Sequence, residues 1–297
     1  GSNTTTTTNW LTAMFNQVKT LYNNDGIDVA IKSMFIWTDL DPYDGVGTSS
    51  GDYLYAFNGY RPVFNGDVGQ LIGKDAGGLG GVAVGINGLC TTNNFSYSDL
   101  NGISYNNVPT YSWNIMVITH ELGHLFGSPH THACRWNGNN TAIDNCGPYA
   151  RGANTEGGTC MTTPATLPSS GGTIMSYCHQ NPNVGIGFAY GFGPQPGNLI
   201  RNISACYAGQ QCNPSGGVIT FCAPVTNLQV SYITFISANL NWTHSASYTN
   251  YYVMIKPSNA ANYVNVSGNI TGNNFMLSNL IPNTTYNVRV YTNCQNG

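Results

Sequence analysis

The chain has 297 residues, 41% of them hydrophobic and 12% aromatic, which supports a real core and is too aromatic for a disordered tract. The formal net charge is −3, with nine Lys plus Arg and no basic run, which argues against a nucleic-acid partner. No run of about 18 apolar residues occurs, so nothing in the sequence reads as a membrane span.

Residues 9–22, NWLTAMFNQVKTLY, place Leu11, Met14, Phe15, Val18, Leu21 and Tyr22 three and four apart, the apolar stripe of an amphipathic helix. Asn-Asn-Asp-Gly at 23–26 stops it. IDVAIKSMFIW (27–37) is β-branched and aromatic, the pattern of an interior strand, and GGVAVGI (80–86) predicts a second strand. A second helix is expected over 111–126. Residues 133–172 carry many Gly, Asn, Thr and Pro without a clear period and read as a long irregular loop, of the kind that is functional or stapled. GNLIRNISACYA (197–208) closes this region as a third helix.

The rhythm changes after Cys212. NPSGG reads as a linker, and 238–243, 251–256 and 284–291 are short strands with turn residues between them, the spacing of a β-sandwich. The expected division is a first domain over 1–212, a linker over 213–222 and a sandwich over 223–297. None of the nine cysteines forms a CxxC pair, which disfavours a cysteine-ligated zinc knuckle; scattered cysteines on a lysine-poor chain read as disulfides of an exported protein. Nine is odd, so one is free or its partner lies outside this chain. The leading Gly1-Ser2 reads as a cloning scar, and no signal peptide follows it.

The chemistry concentrates in THELGHLFGSPHTHAC (119–134), which holds four of the six histidines. His120 and His124, four apart on a helix, project from one face and reach one zinc ion. Glu121 lies about 100° around the helix, free to act on water rather than ligate. Gly127 ends the helix in a left-handed turn and lets the chain swing His130 in as the third ligand. Three protein ligands leave a position for water, the mark of a catalytic Zn2+ site. His132 lies outside the pattern and reads as a loop histidine, His244 as a surface residue, and His179 is undecided. Asp144 and Glu156 are candidates for a Ca2+ site.

HELGHLFGSPH resembles the extended zinc motif of metzincin metallopeptidases, and TIMSYC (173–178) resembles their Met-turn. Within that group the chain is most similar to the reprolysin, adamalysin-like branch, as in secreted bacterial proteases with fibronectin-type modules. The resemblance implies an α+β catalytic domain with a twisted mixed sheet, the zinc helix and an irregular C-terminal subdomain. It implies Met175 as an apolar floor under the zinc ligands, and a disulfide tying Cys90 to Cys206. Two positions depart from that branch: Thr131 stands where adamalysins carry Asp, and Tyr177 matches the Met-turn of astacins and serralysins. In those relatives the tyrosine hydroxyl swings between zinc and the developing oxyanion, so Tyr177 is a candidate catalytic residue beside the plainer reading of a packed floor residue. Metzincins also begin with a strand before the first helix; either the threonine run at 4–8 serves or that strand lies outside this chain. LIPNTTY (280–286) resembles the fibronectin type III signature, with Trp242 as the core tryptophan and Tyr286 as the corner tyrosine. That sandwich is expected to lack its last strand, with Cys222 bridged to Cys294.

The reading is a secreted zinc endopeptidase acting on protein or peptide substrates. Zinc polarises the scissile carbonyl and lowers the pKa of its water, and Glu121 moves the proton. Residues 80–86 offer the edge on which substrate adds as an antiparallel strand. The alternative is a non-enzymatic adhesion or carbohydrate-binding protein with a vestigial zinc site, which the intact Glu121 disfavours. Oligomeric state and cleavage preference are not legible in the sequence.

Overall fold

The computed structural model describes residues 3–74, 78–89, 91–151, 156–162, 166–207, 225–243, 250–260, 263–268 and 270–292. The chain forms two compact units, Gly1–Ser215 and Gly216–Gly297. The expected bridges Cys90–Cys206 and Cys222–Cys294 each involve a cysteine outside the described residues, as does His244.

The first unit opens with α1, Thr4–Asn24. The threonine run is therefore the first turns of this helix and not a strand. Its start is set by Asn3, whose side chain accepts hydrogen bonds from the backbone amides of Thr5 and Thr6. Capping of that kind outweighs the β preference of threonine. Met14, Val18, Leu21 and Tyr22 form the buried stripe. Residues 27–37 form no strand, a correction to the sequence reading. Ile31, Phe35 and Trp37 are exposed there. β-branched composition suits a pleated surface, but a strand exists only where a ladder partner accepts its backbone bonds.

The sheet is small and mixed: β1 (Gly69–Gly73), β2 (Gly81–Ala83) and β3 (Phe95–Asp99) lie in the order β1-β3-β2. β3 runs parallel to β1 and antiparallel to β2. One face of β3 presents Phe95 and Tyr97 to α2 (Ser50–Tyr60), where Tyr97 stacks on Tyr53 with ring centroids 5.1 Å apart. The other face presents small Ser98, whose hydroxyl bonds to the Val117 carbonyl of α3 (Trp113–Leu125) at 3.4 Å. α3 is buried along almost its whole length. It packs with α1, with α5 (Pro194–Tyr207) and with Ile174, Met175 and Phe192 in one core. Tyr22 fixes α1 to α3 through a 2.9 Å bond from its hydroxyl to the Thr119 carbonyl.

Among the described residues, the segment between α3 and α5 is largely irregular, with the short helix α4 (Cys146–Arg151) and 3-10 turns at Cys178–Gln180 and Phe188–Tyr190. Two disulfides staple it, Cys134–Cys160 and Cys146–Cys178, using the four cysteines expected there and deciding their order.

The second unit is all β. β4 (Thr226–Ser231), β5 (Ala238–Thr243) and β9 (Asn274–Leu277) form one sheet. β6 (Asn250–Pro257) with β10 (Tyr286–Thr292) and the two-residue β7 (Val264–Asn265) and β8 (Ile270–Thr271) form the other. Trp242, Leu240, Tyr251, Val253 and Leu277 fill the space between the sheets. The Tyr286 hydroxyl accepts the Ile281 backbone N–H at 3.0 Å, the corner contact expected from the sequence.

Candidate metal centre

His120 and His124 point the same way because they are one turn apart on α3. The helix then stops in a Schellman turn: the Gly127 amide bonds to the His124 carbonyl and the Ser128 amide to the Gly123 carbonyl. Gly127 holds φ 101°, and a Cβ there would also strike the Ile203 side chain of α5. That turn returns the chain, and His130 arrives opposite the two helical histidines.

The three Nε2 atoms form a near-equilateral triangle. His124 lies 3.2 Å from His120 and 3.1 Å from His130, and His130 lies 3.1 Å from His120. Each Nδ1 faces an oxygen: His120 the Ile174 carbonyl at 2.7 Å, His124 the Ser128 carbonyl at 2.7 Å, and His130 the Glu156 carboxylate at 2.6 Å. Oxygens of this kind only accept, so each Nδ1 carries the proton and each Nε2 presents a lone pair. Three converging lone pairs repel one another unless a cation sits among them. Tetrahedral zinc with Zn–N bonds of 2.0–2.1 Å needs nitrogens roughly 3.3 Å apart, so the triangle fits it. Burial and the neighbouring imidazoles keep all three neutral: His124 falls to about 3 and His130 to about 4, with Glu156 opposing the shift at His130. His120 lies well below its ordinary value for the same reasons, burial first and His124 next.

Glu121 is buried against β2. A Cβ on Gly81 would run into its carboxylate, so that glycine makes room for it. Burial pushes its carboxyl up to about 8, and the Ala83 backbone amide offsets part of the shift. Among the described strands β2 pairs only with β3, which leaves its outer edge next to this carboxylate.

The segment expected as the Met-turn packs against the helix that carries His120 and His124, where a Cβ on Gly123 would meet the Met175 sulfur. Met175 is fully buried in the core beside α3. Its carbonyl accepts the Thr131 amide at 3.1 Å, and the preceding carbonyl, of Ile174, takes His120 Nδ1. Tyr177 lies over the cluster, its ring 4.4 Å from His130, 4.9 Å from His132 and 6.1 Å from His120. His179 lies 5.6 Å from the Tyr177 ring and 5.5 Å from Trp113.

Two residues take places that spacing did not indicate. His132 is buried and stacks on His130, and Glu156, read from sequence as a calcium candidate, faces His130 and His132. Burial pushes the Glu156 carboxyl up, but hydrogen bonds from His130 and His132 outweigh it and hold it well below the usual range. Asp144 instead accepts the backbone amide of Cys146 at 3.0 Å. Only the density of polar residues in a stapled loop could have pointed to Glu156.

Residues 1–185 match a reprolysin model described as metallo-peptidase family M12, and residues 223–297 match the fibronectin type III domain. No curated protein matches the chain. Among solved structures, one of titin domains is similar at 28% identity over 24% of this chain, with a TM-score of 0.22. The match spans 26% of that titin chain. A fibronectin domain of human collagen XX is 24% identical over 27% of this chain and 80% of its own, with a TM-score of 0.21.

Proposed function

This chain belongs to metallo-peptidase family M12, a family of zinc metallopeptidases, and on that premise we propose that it is a secreted endopeptidase acting on proteins or peptides. The observation that carries the reading is the triangle of Nε2 lone pairs with a buried carboxylate one residue along the same helix turn. His120, His124 and His130 would hold the ion. Zinc bound there supplies a Lewis acid for the scissile carbonyl and for the attacking water.

The chain's own groups do the rest. Glu121 accepts the water's proton on a carboxylate oxygen and delivers it to the leaving amine nitrogen. Its burial favours the protonated form, so once the carboxylate has taken the proton it retains it until the amine takes it. The outer edge of β2 pairs substrate as an antiparallel strand, which places a peptide bond beside Glu121 and accepts chain on both sides of it. That geometry supports internal cleavage. Tyr177, whose ring contacts His130, would donate its hydroxyl to the developing oxyanion. Secretion is supported by the two disulfides of the stapled loop, which persist in oxidising compartments.

Mass-spectrometric profiling on a peptide library, with and without a zinc chelator, tests the proposal. Internal cleavage that stops with chelator is the expected result. Trimming only at peptide ends, or cleavage that chelator leaves untouched, overturns it.

A further inference from the structure

We infer that Glu156, braced by His132, is the positioning residue of the third zinc ligand; the inference rests on the reading of His120, His124 and His130 as the zinc site. The three ligands are not held alike. His120 and His124 give their Nδ1 protons to backbone carbonyls, Ile174 and Ser128. His130 stands outside the helix on the irregular segment and gives its proton to a side chain, Glu156 Oε1 at 2.6 Å. It is the one ligand whose ring is oriented by a full negative charge. A carboxylate in that position fixes the Nδ1–H tautomer and makes Nε2 a stronger donor to a dication.

The fold takes several steps to bring Glu156 there from 26 residues away. The Cys134 amide bonds to the Glu156 carbonyl at 2.6 Å. The Cys134–Cys160 bridge closes the same segment, with Cys134 four residues after His130 and Cys160 four residues after Glu156. From the other side, His132 places Nε2 3.5 Å from the same Glu156 oxygen and stacks its ring on His130, 4.9 Å away and 9° from parallel. His132 is 4% exposed, and its Nδ1 is buried without a hydrogen-bond partner among the described residues. A proton on that atom would be an unsatisfied buried donor, so the favoured tautomer carries it on Nε2, facing the carboxylate. Glu156 is thus held between two imidazoles, one that receives its effect and one that keeps it in place.

Zinc affinity measured by competition with a chromogenic chelator tests this, on wild type and on Glu156→Gln, Glu156→Ala and Glu156→Asp in the full chain. The Glu156 side chain is 44% exposed, so the variants are expected to fold, with a modest fall in the melting of the metal-free protein where the buried His130 Nδ1–H loses its charged acceptor. Loss of an outer partner of a metal-bound histidine costs about 10–100-fold in affinity. Glu156→Gln and Glu156→Ala should fall in that range, and Glu156→Asp, which keeps the charge, should retain more affinity than the isosteric Glu156→Gln. The visible spectrum of the cobalt-substituted protein should shift in Glu156→Gln, because the donor strength of one ligand has changed. Unchanged affinity and spectrum in both neutral variants would overturn the inference while leaving the zinc site standing. A wild type with no zinc affinity, matching a His124→Ala control, would sink the site itself and this inference with it.

Discussion

At the scale of single residues, the proposed site would separate the groups that hold the ion from the group that moves the proton. Glu121→Gln keeps the shape of the side chain and removes the base. It should bind zinc as wild type does and lose about 10²–10⁴ in kcat; metal content and turnover on a peptide substrate check it, and near-normal turnover would rule out the role. The same residue makes a pH prediction for the metal-free protein. Burial pushes its folded carboxyl up to about 8 from an ordinary 4.5, so between those values the folded state keeps a proton that the unfolded chain has released. Stability therefore falls as pH rises through that window. Metal-free Glu121→Gln should gain stability over metal-free wild type between pH 5 and pH 9, read from denaturant midpoints; a constant difference would show that the carboxyl is not held in its burial-raised state. Tyr177→Phe removes only a hydroxyl that sits on a ring packed against His130. Zinc content should hold and kcat should fall at least tenfold with KM little changed, within the roughly 3 kcal/mol that one oxyanion donor supplies. Unaltered kcat would make it a packing residue. His120, Glu121 and His124 were legible in the sequence because helix geometry converts their spacing into direction, and His130 because Gly127 permits the turn that returns the chain. Glu156 and His132 were not, since the contact between Glu156 and the two histidines depends on how an aperiodic segment folds back.

At the scale of elements, the turn after α3 decides whether the third histidine reaches the other two. Gly127→Ala meets two penalties: a left-handed conformation, which costs an L-residue about 1–2 kcal/mol, and a clash with Ile203 of α5. The variant should melt several degrees lower and bind zinc more weakly, since the turn that aims His130 has shifted; differential scanning with and without chelator measures both. Wild-type affinity in that variant would show that His130 finds its place independently of the turn. Strands were less legible than helices. β3 is central and wholly buried, yet FSYSD reads as polar, because its serines lie where α3 packs too closely for larger side chains. α2 went unread although Ser49 and Asp52 form a capping box at its start. Residues 27–37 have strand composition and no strand, which shows that pairing, not propensity, makes a sheet.

At the scale of the whole molecule, the chain forms two compact units, and the proposed zinc ligands all lie in the first. Chelator should lower the thermal transition of that unit by the binding free energy of zinc and leave the sandwich transition where it was; a chelator-induced shift in the sandwich would contradict this. The two bridges close loops of 26 and 32 residues, each stabilising the fold by about 3–4 kcal/mol through the unfolded chain. Cys134→Ser with Cys160→Ser should therefore lower the first transition and also weaken zinc, because it frees the segment that carries Glu156; unchanged affinity would separate the bridge from the site. Resemblance to known families implied the Met-turn and the corner tyrosine; the sequence by itself determined the helix that carries His120, Glu121 and His124, the turn that returns His130 and the alternation of the sandwich strands. Each of these rests on short-range geometry: a helix repeats every 3.6 residues, a glycine permits one turn, and strands alternate every two. Only the tertiary structure decided the order of the bridges, the place of Glu156 between two histidines, and the absence of a strand at 27–37. Those depend on which distant segments meet, and the free energy of such meetings is shared over the whole core rather than written at the residues that benefit from it.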